Sequence, residues 1–290
     1  MIRRPPRSTL DRSSAASDVY KRQQQYIEAL ISQAADMRIV RLPGIHHDSN
    51  LVLALGTLGN ILIDAGTSWY QTLQVERIKG LIGEQSLDRI LLTSRRYPCT
   101  GGAAHIAGEF DSCTIHIHPE GQSALAKGDF FTTWANRFDS DMPITSTESV
   151  TDEDIFPLGN GQISVISLPG HSSDSLGYYV TEKNLLITGP ILPRADRPTR
   201  WDLPTGCLPD IIESLIKITK LNLDTLIPLQ GPAIKGVAHI KEVLERHIEF
   251  FEQCVDNDGQ SPKSWARPAQ TAIWLTPHPP WPLTEREDVS

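Results

Sequence analysis

The chain has no apolar run approaching the ~20 residues needed to cross a bilayer. Its four cysteines (Cys99, Cys113, Cys207 and Cys254) contain no CxxC pair, and it has no excess of positive charge. Each absence removes a class of protein. Without a long apolar run there is no membrane span to place, and widely spaced cysteines indicate neither a disulfide framework nor a zinc ribbon. Lys and Arg total 27 against 35 Asp and Glu, a formal net charge of -8 over 290 residues. A phosphate backbone or an anionic membrane selects clustered Lys and Arg, so this balance argues against nucleic acid and membrane as partners. Internal repeats and low-complexity blocks are missing as well.

The first 23 residues, "MIRRPPRSTLDRSSAASDVYKRQ", differ from everything after them. They resemble a translated sequencing adaptor: "DVYKRQ" back-translates to a transposase end sequence and "MIRRPPRST" to a flow-cell adaptor. An Arg- and Ser-rich leader is the biological alternative. The segment carries six Lys+Arg and two Asp+Glu, so the rest has 21 against 33, a net charge of -12 over 267 residues. That remainder reads as acidic and soluble. With no secretory apolar segment in it, a cytoplasmic location is expected. The expected division is a leader at 1–23, one domain at 24–256, and a Pro/Trp-rich tail at 257–290.

Inside the domain, short apolar runs alternate with helical patterns. "RIVRLPG" reads as a strand, and "SNLVLALGTLGNILIDAG" as two strands joined by the turn "GTLGN". Leu73, Val75, Ile78 and Leu81 then recur at helical spacing. The strand "RILLTS", a helix opened by Thr100 and Gly101, and the strand "CTIHIHP" complete βαβ material. Residues 127–150 interrupt this with Phe130, Phe131, Trp134 and Phe138 among polar residues, and predict a partly helical excursion. From Ile155 the pattern turns to hairpins through "GQISVISLPG", "LGYYVTE" and "NLLITGPIL". A helix over Asp210–Lys220, the strand "DTLIPLQG" and an amphipathic helix over Val237–Val255 follow. In that last helix Ile240, Val243, Leu244, Ile248, Phe251 and Val255 form the apolar face.

Five segments in order carry a resemblance. They are "ILIDAGTS", "ILLTSRRYPCTGGAAH", "SLPGHSSDSLGYYV", "LLITGPIL" and "IPLQGPAI". They are similar to the motifs of the metallo-β-lactamase superfamily, whose turn T-H-x-H-x-D-H often continues T-G-G-A. The resemblance covers roughly residues 38–256 and implies an α/β (α+β) fold, a four-layer αβ/βα sandwich. It also places the family's metal ligands. The first turn puts them on Ser94, Arg96, Pro98 and Cys99, the P-G-H segment on His171, the metal-bridging aspartate on Pro190, and the last histidine on Gln230. Asp64 falls in the first motif and is left supporting the turn. One ligand of seven, His171, is of the family's type.

Coordination chemistry gives the consequence. Zinc needs several convergent His, Cys or carboxylate donors, and a second metal needs a bridging carboxylate. Neither proline has a side-chain donor, and the Arg96 guanidinium stays protonated and repels a dication. Without the metal nothing lowers the pKa of a water from about 15.7 to about 7. Zinc is the family's cofactor, and none is expected here.

The survivors admit more than one role. Cys99 stands near Arg95 and Arg96 at the start of a helix, which favours a reactive thiol; with His171 it would make a nucleophile and base pair. The competing reading is a small apolar filler. A rebuilt metal site could draw on His171, Cys99, His105, His116 or His118, the last two sharing one strand face by period two. His46 and His47 sit in a loop that lines the groove in the resembled family. Arg96 could supply a fixed positive charge for an anionic ligand, or neutralise Asp64. The aromatic segment 130–138 and the tail with Trp265, Trp274 and Trp281 could form a partner surface.

These readings lead to an expected function. The sequence describes a catalytically inactive pseudoenzyme with a dismantled dinuclear site, binding a small anionic ligand or a protein partner, with oligomers allowed. A hydrolase of thioesters, esters or lactones is the first alternative, working through a rebuilt metal site or a Cys99 nucleophile. An inactive subunit of an active paralogue is the second.

Overall fold

Strand residues that alternate in sequence alternate between two cores. In the computed structural model, which describes residues 37–260, Leu51 and Leu53 enter one core while Val52 and Ala54 enter another. Leu62 likewise parts from Ile61 and Ile63, and Ile90 from Leu91. Such strands are covered on both faces, so they read as apolar runs and not as apolar-polar alternation. The leader, residues 24–36 and the tail from 261, with its three tryptophans, lie outside the described residues.

The first sheet has six strands in sequence order: β1 (Arg38–Leu42), β2 (Leu51–Leu55), β3 (Asn60–Ile63), β4 (Arg89–Leu91), β5 (Thr114–Ile117) and β6 (Glu148–Ser149). It is antiparallel from β1 to β3 and parallel from β3 to β6. Parallel pairing needs crossovers. These are supplied by α1 (Gln71–Ile82), α2 (Tyr97–Thr100), α3 (Ala103–Gly108) and α4 (Pro119–Lys127).

The second sheet contains β7 (Ile155–Pro157), β8 (Gln162–Ser167), β9 (Leu176–Val180), β10 (Leu185–Ile187), β11 (Thr225–Ile227) and β12 (Ile234–Lys235). Its order is β12-β11-β10-β9-β8-β7, with β10 and β11 parallel. The helices α5 (Leu208–Thr219) and α6 (Val237–Asp256) cover it.

Three cores result, one between the sheets and one beneath each helical layer. The fold is therefore the four-layer αβ/βα sandwich that the sequence implied. Because β3 and β4 run parallel, and β8, β10 and β11 share a direction, their C-terminal ends gather at one edge of each sheet. Leu176 N donating to Thr93 O, at 2.8 Å, and Asn50 N donating to Leu229 O join the two edges. All five motif segments end there.

Two local expectations are corrected. Helix α4 lies where no helix was expected, and His118 is its N-cap instead of a strand residue, so His116 and His118 do not share a strand face. Helix α6 buries His247, Phe250 and Cys254 beside Ile240, Val243, Leu244 and Phe251, whereas Val255 is exposed. The 3.6-residue period, and not residue hydrophobicity, sets the buried stripe. The partly helical excursion expected at 127–150 is present as the 3-10 turn Ala135–Phe138, within an otherwise irregular segment that runs into β6.

Candidate functional site

The turn after β3 fixes the floor of the site. Asp64 is buried with a left-handed backbone (φ 59°). Its carboxylate accepts from Thr93 N at 2.8 Å and from Thr93 Oγ1 at 2.9 and 2.8 Å. Burial pushes its pKa up to about 7, against the pull of these hydrogen bonds. Nearby, Asp48 accepts from Thr67 N, Thr67 Oγ1 and Gln74 Nε2, which makes it a buried anchor for the turn. Gly66 (φ 72°) is required here, since a Cβ would stand 2.9 Å from the Asp48 carboxylate.

Cys99 joins this floor and not His171. Its Sγ lies 3.6 Å from Thr93 Oγ1, whose single proton goes to Asp64, and its thiol hydrogen-bonds Asp64. Burial first, then the Asp64 charge, pushes the thiol well above its usual range. It stays protonated at neutral pH, and a protonated thiol is a poor nucleophile.

The two arginines of the β4 turn go separate ways. Arg95 Nε pairs with buried Asp174 Oδ1 at 2.9 Å, while Arg95 N donates to Asp174 Oδ2 at 2.7 Å. Arg96, 1% exposed, donates from Nη1 to Thr132 O at 2.7 Å and from Nη2 to Pro204 O at 2.9 Å. It does not neutralise Asp64, whose hydrogen-bond partners are Thr93 and Cys99. The Arg96 Nε has no hydrogen-bond partner among the described residues. Burial lowers its pKa to about 10, which leaves it charged at neutral pH. Trp134 presents its ring to Arg96, Arg137 and Arg200, with centroid distances of 5.9, 5.6 and 5.9 Å.

His171 has a fixed tautomer. Its Nδ1 lies 3.0 Å from Arg200 O, which can accept and cannot donate, so Nδ1 carries the proton. Thr199 Oγ1 is 3.2 Å from the same nitrogen and donates to Pro190 O. Nε2 is left as an acceptor, buried and without a hydrogen-bond partner among the described residues. Burial, then the charge of Arg96, pushes the imidazole well below its usual range, so it is neutral.

The remaining positions that the resemblance assigns to ligands tie loops together. Ser94 Oγ lies 3.2 Å from Ser172 Oγ. Gln230 Nε2 donates to Asp48 O at 3.0 Å. Pro98 and Pro190 are buried, and they contribute carbonyls to Ser49 N and Thr199 Oγ1.

The other histidines point elsewhere. His46 contacts Tyr70, and His47 packs edge-on against Trp69 and Phe138. His116 bonds Thr114, His118 caps α4, and His105 is half-buried on α3. Among the described residues, no three His, Cys, Asp or Glu converge as a metal site. At the seven positions that the resemblance assigns to ligands stand two prolines, a serine, an amide, a guanidinium, a buried protonated thiol and one histidine, a donor set that does not fit zinc.

Sequence reasoning missed Asp48, Asp174, Thr199 and Arg200. Asp174 carried a signal, an acidic residue three after the motif histidine. Thr199 and Arg200 carried none, since they act on His171 through a backbone carbonyl and a hydroxyl supplied by an irregular loop.

Comparisons with known proteins agree with the fold and the motifs. The family description that matches residues 45–231 is "Metallo-beta-lactamase superfamily". A human protein named acyl-coenzyme A thioesterase MBLAC2 is 25% identical over 167 residues, covering 50% of this chain and 58% of that protein. The chain therefore spans well under two thirds of that curated relative. Among solved structures, the BLEG-1 B3 metallo-beta-lactamase matches with a TM-score of 0.59 at 20% identity, covering 71% of this chain and 97% of that one. TTHA1623, solved in a di-iron-bound form, matches with a TM-score of 0.57 at 22% identity over 68% of this chain and 94% of that one. At such identities the structural likeness speaks to the fold alone. Profile, motif order and architecture concur: the chain belongs to the metallo-β-lactamase superfamily.

Proposed function

We propose that this protein is a metal-free pseudoenzyme of its superfamily, which binds a small anionic ligand or a protein partner instead of hydrolysing a substrate. One observation carries the reading. The side chains at former ligand positions serve as cross-links between loops: Arg96 holds Thr132 and Pro204, Gln230 holds Asp48, and Ser94 meets Ser172. A bound metal ties such loops in a dinuclear enzyme; here hydrogen bonds take that structural task. The hydrolytic alternative through Cys99 is disfavoured by a buried thiol bound to Asp64.

The name of the human relative makes an acyl-coenzyme A thioester the first substrate class to try. Purified protein would be incubated with a thioester, an ester and a lactone, with and without added zinc or iron. No turnover above a heat-denatured control is expected. Turnover that follows bound metal and disappears on chelation would contradict the reading. A thiol-reactive probe addresses Cys99 separately: in the native protein it should label far more slowly than a model thiol at neutral pH.

A further inference from the structure

We propose that the emptied centre binds one small oxyanion that carries a proton, of the hydrogen phosphate or hydrogen carbonate type, with Arg96 donating to it and His171 accepting from it. The proposal rests on the binding reading above and names the ligand class.

Two buried polar atoms of opposite character are left unmatched in one cluster. Arg96 Nε is a donor without an acceptor, and His171 Nε2 is an acceptor without a donor. They belong together: Arg200 O fixes the His171 tautomer, and the guanidinium groups of Arg200 and Arg96 flank the same Trp134 ring. Native interiors rarely leave such groups bare, so a ligand that both accepts and donates is the complement they specify.

Charge then favours an anion. The neighbouring cations are matched, Arg95 by Asp174 and Arg200 by Asp202. Arg96 makes no ion pair among the described residues; its two bonded acceptors are neutral carbonyls. A buried guanidinium with a free N–H, beside an Asp174 carboxylate already paired with Arg95, selects a negative partner. Cation–π contact with Trp134 compensates part of that charge and satisfies no N–H. The His171 lone pair narrows the class, because it requires an O–H. Sulfate and acetate at neutral pH have none, whereas hydrogen phosphate and hydrogen carbonate do. Size narrows it again: Arg96 is 1% exposed and His171 fully buried, which leaves no room for a bulky group on the anion.

The test is calorimetric titration of the full chain with inorganic phosphate, hydrogen carbonate, sulfate and a bulky phosphate monoester near pH 6.5. Phosphate or hydrogen carbonate should bind at one site per chain. Sulfate should bind about tenfold more weakly, the equivalent of one lost hydrogen bond, and the monoester should not bind. His171→Phe should remove the preference over sulfate. Arg96→Met should abolish binding, and since Arg96 also ties loops, its folding is checked by circular dichroism and the His171 variant carries the argument if it fails. Lys241→Ala, exposed on α6, should change nothing. Phosphate and hydrogen carbonate both without effect at millimolar concentration, meaning an enclosed water only, would overturn the proposal, as would sulfate binding as tightly as the better of the two. Either result leaves the metal-free reading standing with a protein partner, whereas metal-dependent turnover removes both.

Discussion

At the residue scale, a buried carboxylate lacking a cationic partner makes stability depend on pH. Asp64 titrates at about 7 in the fold and near 3.9 in an unfolded chain. A folded pKa raised above the unfolded one means the native state holds the proton more tightly. This contribution is complete below pH ~4 and is lost as pH rises to about 7, at most about 1.4 kcal/mol per pH unit. His171 works in the opposite sense, since its depressed pKa costs stability as pH falls below about 6.5. The difference between wild type and Asp64→Asn isolates the carboxylate. By urea denaturation the variant should gain on the wild type between pH 5 and pH 8, by on the order of a few kcal/mol. Parallel curves across that range would contradict the assignment.

Gln230→Ala tests the loop-tying role. It removes the amide held by the Asp48 carbonyl and should cost roughly 1 kcal/mol or slightly more in denaturant midpoint. The positions that the resemblance assigns to ligands were legible in the sequence, because their frame of threonines and glycines is present. What Arg96 and Gln230 do instead was not legible. Their acceptors are backbone carbonyls 36, 108 and 182 residues away, and carbonyls have no sequence signature.

At the element scale, the loop from β8 to β9 is held against the first turn of α5. Gly170 has φ 131°, and a Cβ there would stand 2.5 Å from Ile211 Cγ1 and 2.6 Å from Ile211 N. Gly170→Ala should therefore destabilise by at least about 2 kcal/mol, since backbone strain and overpacking act together. The midpoint should fall without a change in slope. Because His171 follows directly, the variant should also shift the environment of its ring, which NMR would report.

Most strands were readable as apolar runs, yet β6 and β12, of two residues each, were too short to leave a pattern. Helix α4 was readable and overlooked: Pro119 stands at its start, Glu120 in its first turn, and Gly128 in the left-handed position after its end. The face of α6 shows the reverse error, in which residue type was weighed above angular position.

At the scale of the whole molecule, three cores and two sheets present all five motif segments at one edge, and no three His, Cys, Asp or Glu converge as a metal site among the described residues. The stability of the fold should then owe nothing to metal. Addition of a chelator should leave the thermal midpoint unchanged, and added zinc should not raise it by the mass action expected of a tight native-state ligand. The order of the motif segments made the architecture legible from sequence, because each marks a strand end that this fold brings to one rim. The interior of the site was less legible, since Trp134, Thr199 and Arg200 reach it from irregular segments.

The most direct test of the central claim is the metal content of protein purified without chelators and dialysed exhaustively, measured by plasma mass spectrometry. The account predicts zinc, iron and manganese far below one ion per chain. One or more ions of zinc or iron per chain, retained through dialysis, would contradict it.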